Sequence, residues 1–344
     1  MRIAITGGAG FIGGNLAHAL ASRSEISHIR VVDDLSTGSR ANLEGAAVEF
    51  FEGSVLDPGL LDRVFRGVDS VVHLAALPSV PRSVRDPLAS HHANATGTLQ
   101  VLEAARRAGG PQVIAASSSS VYGLNPHLPK HEELRAAPRS PYAVGKLASE
   151  AYLTAYHHCY GLPVLPFRFF NVYGPRQPAG HAYAAVVPTW IGALLTGQPL
   201  VVHGDGNQSR DFTYVETVCQ VLGAAAVGRV VHPDPVNLAF GTRTSLRALI
   251  AELESATGLR AEVRYTAARV GDVRNSQADN TRLRALFPDV APVPLPEGLR
   301  LTVDWFRSAP DAVRAGVGRV DGSPDQVIPS PVSRMRRKPD TGHR

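Results

Sequence analysis

The chain has 344 residues, 44% of them hydrophobic, with 35 Lys and Arg against 30 Asp and Glu. That size and apolar content can bury a large core, and no apolar run approaches the ~20 residues of a membrane span. The only two cysteines, Cys159 and Cys219, lie far apart in sequence, which excludes a disulfide framework and suits a reducing compartment.

Residues 2–5 read as a short apolar strand, followed by Gly7, Gly10 and Gly13 and a helix-like run over residues 15–22. Glycines at that spacing allow a tight turn, backbone approach to a diphosphate and close packing of helix on strand. The N–H groups and dipole of the helix start favour phosphate. A second strand, residues 29–33, ends in Asp33, twenty residues after Gly13. A carboxylate there accepts both ribose hydroxyls and repels a 2′-phosphate, so NAD is expected over NADP.

Further strands are expected at residues 68–74 and 112–117, with helices at 57–66 and 91–107. Small residues (Ala75, Ala76 and the serines at 117–120) follow those strands and leave room for a dinucleotide across the sheet edge. Alternation of this kind predicts an α/β, Rossmann-type, doubly wound parallel sheet with a smaller mixed α/β C-terminal lobe. The expected division is 1–170 for the dinucleotide domain, completed by later crossings of the chain, and 171–306 mainly for the substrate lobe.

Tyr142 and Lys146 are four residues apart and share a helix face. A free tyrosine has a pKa of about 10 and is a poor base at neutral pH. A lysine beneath the ring favours the phenolate, and a drop of about three units takes roughly 4 kcal/mol. The pair therefore reads as a general base that takes a proton from a hydroxyl while hydride leaves the same carbon.

Beyond the folded part, residues 307–344 hold eight Lys and Arg against four Asp, so four of the five net positive charges lie there. This Pro- and Arg-rich stretch lacks periodicity and is expected to be a disordered basic tail. Neither a nucleic-acid nor a membrane partner is expected. With no leader ahead of the first strand, a cytoplasmic location is expected. Consecutive His157, His158 and Cys159 point in different directions on a helix, and His91 and His92 lack partners at ligand spacing, so no metal is expected. The serine run has no Gly-x-Ser-x-Gly elbow, and the glycine turn lacks the Gly-Lys-Ser/Thr of a nucleoside triphosphatase.

With Thr6-Gly-Gly-Ala-Gly-Phe-Ile-Gly13, Ser117-Ser-Ser-Ser-Val-Tyr-Gly123, Tyr142 and Lys146, the chain resembles the extended short-chain dehydrogenase/reductases that act on nucleotide sugars. The likeness runs from about residue 2 to about residue 306. Matching blocks include His73-Leu-Ala-Ala76, Ser79-Val-Pro-Arg-Ser83, Asn94-Ala-Thr-Gly-Thr98, Arg168-Phe-Phe-Asn-Val-Tyr-Gly174 and Arg210-Asp211-Phe212. The resemblance implies NAD contacts at Gly7, Gly10, Phe11, Ile12, Asp33, Asp34, Ser36, Thr37, Gly38, Ser54, Val55, Leu74, Ala75, Ala76, Asn94, Ser117, Tyr142, Lys146 and Phe169. It implies catalysis by Ser118, Tyr142 and Lys146. Substrate contacts are implied at Ser79, Ser118, Ser119, Ser120, Tyr142, Asn171, Val186, Arg210, Arg269, Asp272 and Ser276, with Asn171, Arg210 and Arg269 around the diphosphate.

Within that family, 4,6-dehydratases carry an Asp-Glu pair after the catalytic Ser/Thr, and decarboxylases a Glu at the place of Ser120. Serines stand here instead, so the resemblance implies 4-epimerisation of an NDP-hexose through a 4-keto sugar. UDP-GlcNAc/UDP-GalNAc or UDP-Glc/UDP-Gal lead as substrates. UDP-glucuronate 4-epimerisation or dehydration is the rival, and a non-catalytic NAD-binding regulator the remote one. Ser276 stands where a bulky Tyr restricts the sugar pocket in some relatives, leaving room for an N-acetyl group. Ser54 departs from the family Asp that contacts adenine. A homodimer through helices near residues 88–108 and 141–159 is also implied.

Overall fold

The computed structural model describes residues 1–179, 184–268 and 273–308. The expectations for Arg269, Asp272 and the tail beyond Ser308 lie outside the described residues. Seven parallel strands form the central sheet. In chain order they begin with β1 (Arg2–Thr6), β2 (His28–Asp33), β3 (Glu49–Glu52), β4 (Ser70–His73), β5 (Gln112–Ser118) and β6 (Val164–Phe169). The seventh arrives only after four short strands, β7 (Asn171–Tyr173), β8 (Leu200–His203), β9 (Ser209–Arg210) and β10 (Phe212–Tyr214). It is β11 (Val236–Leu238), which crosses back to pair with β6. The spatial order is β11-β6-β5-β4-β1-β2-β3. The order reverses between β1 and β4, and in such sheets the ligand crevice opens at that reversal.

Both faces of the sheet are covered, which is why β4 and β6 are buried at every position. One face packs on α1 (Phe11–Ala21), through Leu16 and Leu20. The other packs on α2 (Pro58–Phe65), through Leu61 and Phe65. Asp57 starts α2 by accepting the N–H groups of Gly59 and Leu60 at 2.9 and 3.1 Å.

The expected helix over residues 91–107 is divided. After α3 (Val80–Arg85) come α4 (Pro87–His91), a π-helical turn His92–Thr96, and α5 (Gly97–Arg107). The π turn contains Asn94, whose side chain bonds both backbone groups of Leu77 (N–H at 3.0 Å, C=O at 3.2 Å). The long helix α6 (Pro141–Tyr160) starts where Ser140 accepts the N–H of Ala143 at 3.2 Å, with Pro141 at its first position. It stops at Gly161, which takes a left-handed φ of 68°.

The smaller lobe holds α7 (Val186–Leu195), α8 (Val215–Val227), β12 (Thr244–Ser245), α9 (Leu246–Thr257), β13 (Val263–Thr266), α10 (Thr281–Leu286) and α11 (Leu295–Ser308). Its sheets are two-stranded pairs, β7 with β10, β9 with β12 and β8 with β13. Of these helices, α8 reaches back to lie against α1. Among the described residues no helix is long and apolar enough to cross a membrane.

Candidate active site

The loop after β1 is built around forced glycines. A Cβ on Gly7 would stand 2.5 Å from the Ala75 nitrogen, and one on Gly13 would stand 2.2 Å from the Gly7 carbonyl oxygen. Only glycine lets the β1 and β4 loops and the start of α1 meet so closely. Gly10 precedes α1 without a side-chain cap, which leaves the first N–H groups of that helix for another acceptor.

A cavity of about 840 Å³ opens on this loop. Its walls include Gly7, Gly10, Phe11, Ile12, Asp33, Asp34, Ser36, Thr37, Ser54 and Val55. They continue through Leu74, Ala75, Ala76, Ser79, Ser117, Ser118, Tyr142, Lys146 and Phe169. Asp33 accepts the N–H of Ala9 at 3.0 Å and of Leu35 at 2.9 Å. Burial pushes its carboxyl above the ordinary range, and those backbone donors oppose the rise. Ser54 accepts the N–H of Leu56 at 3.2 Å while facing the cavity.

Two expected cofactor residues lie behind the wall rather than on it. Gly38 packs against the backbone of Ala9, where a Cβ would come within 2.8 Å. Asn94 is buried and spends its amide on Leu77 and on Ser90. Their contribution is to hold the wall in place.

At the inner end, Tyr142 is half-buried and shares the cavity wall with Ser118. Burial pushes the phenol above its ordinary pKa, and Ser118 works the other way. Lys146 follows one turn along the same helix, on the same cavity wall. Its Nζ donates to the Ala116 carbonyl at 2.7 Å, at the end of β5. Burial brings the ammonium down to about 8, and the charge of Glu150 resists that fall. Ser118 also accepts the N–H of Ser120 at 3.1 Å, which starts the 3-10 turn Ser119–Tyr122. Among the described residues the Ser120 hydroxyl oxygen is buried without a partner.

A second cavity of about 370 Å³ shares Phe170, Val172 and Ala185 with the first. Asn171, Val186 and Arg210 line it, so three expected substrate residues come together beside the larger space. Ser276 is on neither wall; its N–H bonds Ser209 O at 3.0 Å, one residue from Arg210. Sequence reasoning missed Arg82 and Gln177 on the large cavity and His203 on the small one. Arg82 lay within a block already singled out, and its spacing from the cap Ser79 was the available signal. Among the described residues no group of three or more His, Cys, Asp or Glu could hold a metal ion.

A parallel sheet with a glycine cradle at its reversal point and Ser–Tyr–Lys at the same crevice defines a dinucleotide-binding enzyme fold of the short-chain dehydrogenase/reductase type. The chain belongs to the NAD dependent epimerase/dehydratase family, whose model matches residues 3–239. It is 38% identical over 314 residues to a UDP-glucose 4-epimerase of Mycolicibacterium smegmatis, covering 90% of this chain and 99% of that one. Among solved structures, the UDP-N-acetylglucosamine 4-epimerase of Methanobrevibacter ruminantium, in complex with UDP-N-acetylmuramic acid, superposes with a TM-score of 0.84. The two are 35% identical, covering 89% of this chain and 98% of that one. The UDP-glucose 4-epimerase of Thermus thermophilus in complex with NAD gives 0.82, with 35% identity and coverages of 90% and 100%. The cofactor of the family fits what this chain presents. The glycine cradle would be filled by any Cβ, and the helix start above it has open N–H donors.

Proposed function

We propose that this protein is an NAD-dependent 4-epimerase of a nucleoside-diphosphate hexose, acting through a transient 4-keto sugar. UDP-glucose/UDP-galactose or their N-acetylamino counterparts are the favoured substrates. The observation that carries the reading is that Ser118, Tyr142 and Lys146 meet on the wall of the dinucleotide cavity, with serines at 119 and 120 next in the chain. NAD, when bound, accepts hydride from the sugar C4 and returns it.

Tyr142 takes the proton of the 4-hydroxyl and gives it back on the return step. Ser118 donates to the same oxygen and steadies it as charge develops. Burial alone keeps a phenol protonated; Ser118 opposes that, and a charged Lys146 one turn along α6 favours the phenolate further. Ser119 and Ser120 carry no carboxylate to move a C5 proton, so water loss from C5 and C6 has no acid–base pair. Arg210 and Asn171 grip the diphosphate end through charge-assisted and amide bonds. The keto sugar is then free to turn and offer its other face.

The test is proton NMR of the anomeric region, with purified enzyme, no added reductant and UDP-glucose, UDP-N-acetylglucosamine or UDP-glucuronate. Appearance of a C4 epimer from one of the first two supports the reading. No change in any of them, with NAD bound, would overturn it. Arg82 on the cavity wall is the reason to include the glucuronate, whose carboxylate a cation would favour.

The same reading makes the enzyme a cytoplasmic homodimer. Val144, Ala151, Tyr152, Ala155 and Cys159 form an exposed, largely apolar stripe along α6. Leu88 on α4 is 71% exposed nearby in the same helical layer. A second copy buries that face, and Leu88→Glu is expected to shift sedimentation from dimer to monomer at micromolar protein. A wild-type chain that sediments as a monomer would sink the dimer.

A further inference from the structure

Directly behind the reacting groups lies a buried ion pair that the chemistry above does not use. Glu150 on α6 and Arg168 on β6 are 3% and 5% exposed. The guanidinium grips both carboxylate oxygens, Nε to Oε1 and Nη2 to Oε2, each at 2.9 Å. It is held in turn by the carbonyl of Glu132 at 3.2 Å and lies 4.7 Å above the Tyr122 ring. Burial works against the Arg168 charge, but Glu150 outweighs it and keeps the guanidinium more basic than usual. The carboxylate is thus fixed in place.

Two features make it more than a structural rivet. Oε1 accepts a short 2.5 Å bond from Ser117, the residue before Ser118 and itself on the cavity wall. Glu150 also follows Lys146 by four residues on one helix, so the three side chains Tyr142, Lys146 and Glu150 rise along one face.

We propose that Glu150 is the positioning residue of this site: locked by Arg168, it holds Ser117 and so the strand end that carries Ser118, and it sets a fixed negative charge beside Lys146. This rests on the reading of Ser118, Tyr142 and Lys146 as the reacting set. The surroundings of Lys146 leave that task to Glu150. From β5 come the Ala116 carbonyl and the Ser118 hydroxyl, both uncharged. From β4 comes His73, fully buried and kept neutral down to about pH 3 by burial and by the lysine itself. The π turn brings Asn94, also uncharged, against Gly145, the residue before Lys146. Tyr142 precedes Lys146 on α6, and Arg168 on β6 is already committed to Glu150. Among these described neighbours Glu150 is the one fixed anion, and its charge resists the loss of the Lys146 proton.

The chain has only three lysines, Lys130, Lys146 and Lys338, so the ammonium can be followed directly. The experiment is an NMR pH titration of lysine-labelled, full-length holoprotein, with the Lys146 signal assigned by Lys146→Arg, alongside the pH profile of kcat/KM. In Glu150→Gln the Lys146 midpoint and the alkaline limb are both expected to fall by about one pH unit. Because Glu150→Gln strands a buried guanidinium, Glu150→Met/Arg168→Met is the companion variant that removes both charges and keeps the volume. It is expected to show the same downward shift with the fold intact. Ser117→Ala keeps the ion pair and is expected to lower kcat about fivefold, within the range of a lost orienting hydrogen bond, without moving the limb. A folded double variant with the wild-type Lys146 midpoint would overturn the proposal. So would Ser117→Ala with unchanged kcat. The lysine signal reports whether or not a substrate has been found. A wild-type enzyme that epimerises nothing would therefore bring down only the reading of the reaction.

Discussion

Two aspartates, one in each half of the molecule, carry similar chemistry to different ends. Asp33 closes the glycine loop by accepting the N–H groups of Ala9 and Leu35, and it faces the large cavity. Asp211, between β9 and β10, is fully buried. It accepts the N–H groups of Gly241, Thr242 and Ala278 at 3.0, 3.2 and 3.0 Å, and the Thr242 hydroxyl at 2.9 Å. Burial raises both carboxyls and backbone donors oppose the rise in both. The partners of Asp33 lie within 24 positions, whereas those of Asp211 reach 67 positions along the chain. The cavity edge of the sheet is assembled from local turns, and the region around β9 and β10 from long-range side-chain pins.

The comparison breaks hardest at Asp211. Asp211→Ala leaves four donors without their acceptor, the buried Ala278 N–H among them, at about 1–3 kcal/mol for each group that stays unsatisfied. A loss of roughly 4 kcal/mol or more is expected in denaturant unfolding, which is a large share of a typical domain's stability. Asp33→Ala is expected to cost only about 1 kcal/mol of stability, yet to weaken NAD binding strongly in calorimetry. Equal stability losses in the two variants would erase the distinction.

The same contrast explains what could be read in the sequence. Gly7, Gly10, Gly13 and Asp33 were legible because each acts within a turn and a helix start, at a spacing that backbone geometry dictates. The strand β6 was not legible on its own pattern. Val-Leu-Pro-Phe-Arg-Phe puts a proline and an arginine inside a central strand, and both argue against a strand there. Arg168 is tolerated because Glu150, from another element, neutralises it. The helical spacing of Tyr142 and Lys146 was right, but where the ammonium goes is decided by the Ala116 carbonyl on a strand thirty residues earlier. Likewise nothing in residues 91–107 announces the π turn around Asn94, because its cause is the Leu77 backbone.

Within the site itself, Tyr142→Phe separates chemistry from architecture. It removes the phenol oxygen while filling the same space. Turnover is expected to fall at least ~100-fold, the low end for a positioned base, with NAD content and melting temperature close to wild type. Wild-type turnover in that variant would remove Tyr142 from the mechanism.

Acid sharpens the comparison from another side, because the buried histidine belongs to the dinucleotide half. His73 is hydrogen-bonded through Nδ1 to the Thr6 hydroxyl at 2.7 Å and through Nε2 to the Thr98 hydroxyl at 3.1 Å. Burial and the nearby Lys146 lower its pKa from 6.5 to about 3. The unfolded chain therefore binds a proton that the folded one refuses. The contribution of this histidine is intact above pH 6.5 and is lost as pH falls towards 3, at about 1.4 kcal/mol per unit. By pH 5 the loss is expected to be ~2 kcal/mol relative to pH 7. Denaturant midpoints of wild type and His73→Asn should converge as the pH is lowered through that window. Parallel curves would mean that His73 is not the group being titrated.

The smallest expected effect lies at the rim of the cavity, at Ser54. Its hydroxyl accepts the Leu56 N–H and faces the dinucleotide space. Aspartate makes the same local turn, because its short carboxylate also accepts a backbone N–H two residues on. In Ser54→Asp the second carboxylate oxygen remains for the amino group of an adenine. One charge-assisted hydrogen bond at a partly solvated rim is worth about 1 kcal/mol, or roughly fivefold in affinity. Calorimetric titration with NAD should register that gain with no change in melting temperature for the cofactor-free protein. A stability change without a change in affinity would mean that residue 54 belongs to the turn alone. The cradle would then take its grip on the dinucleotide from its glycines, Asp33 and the helix start.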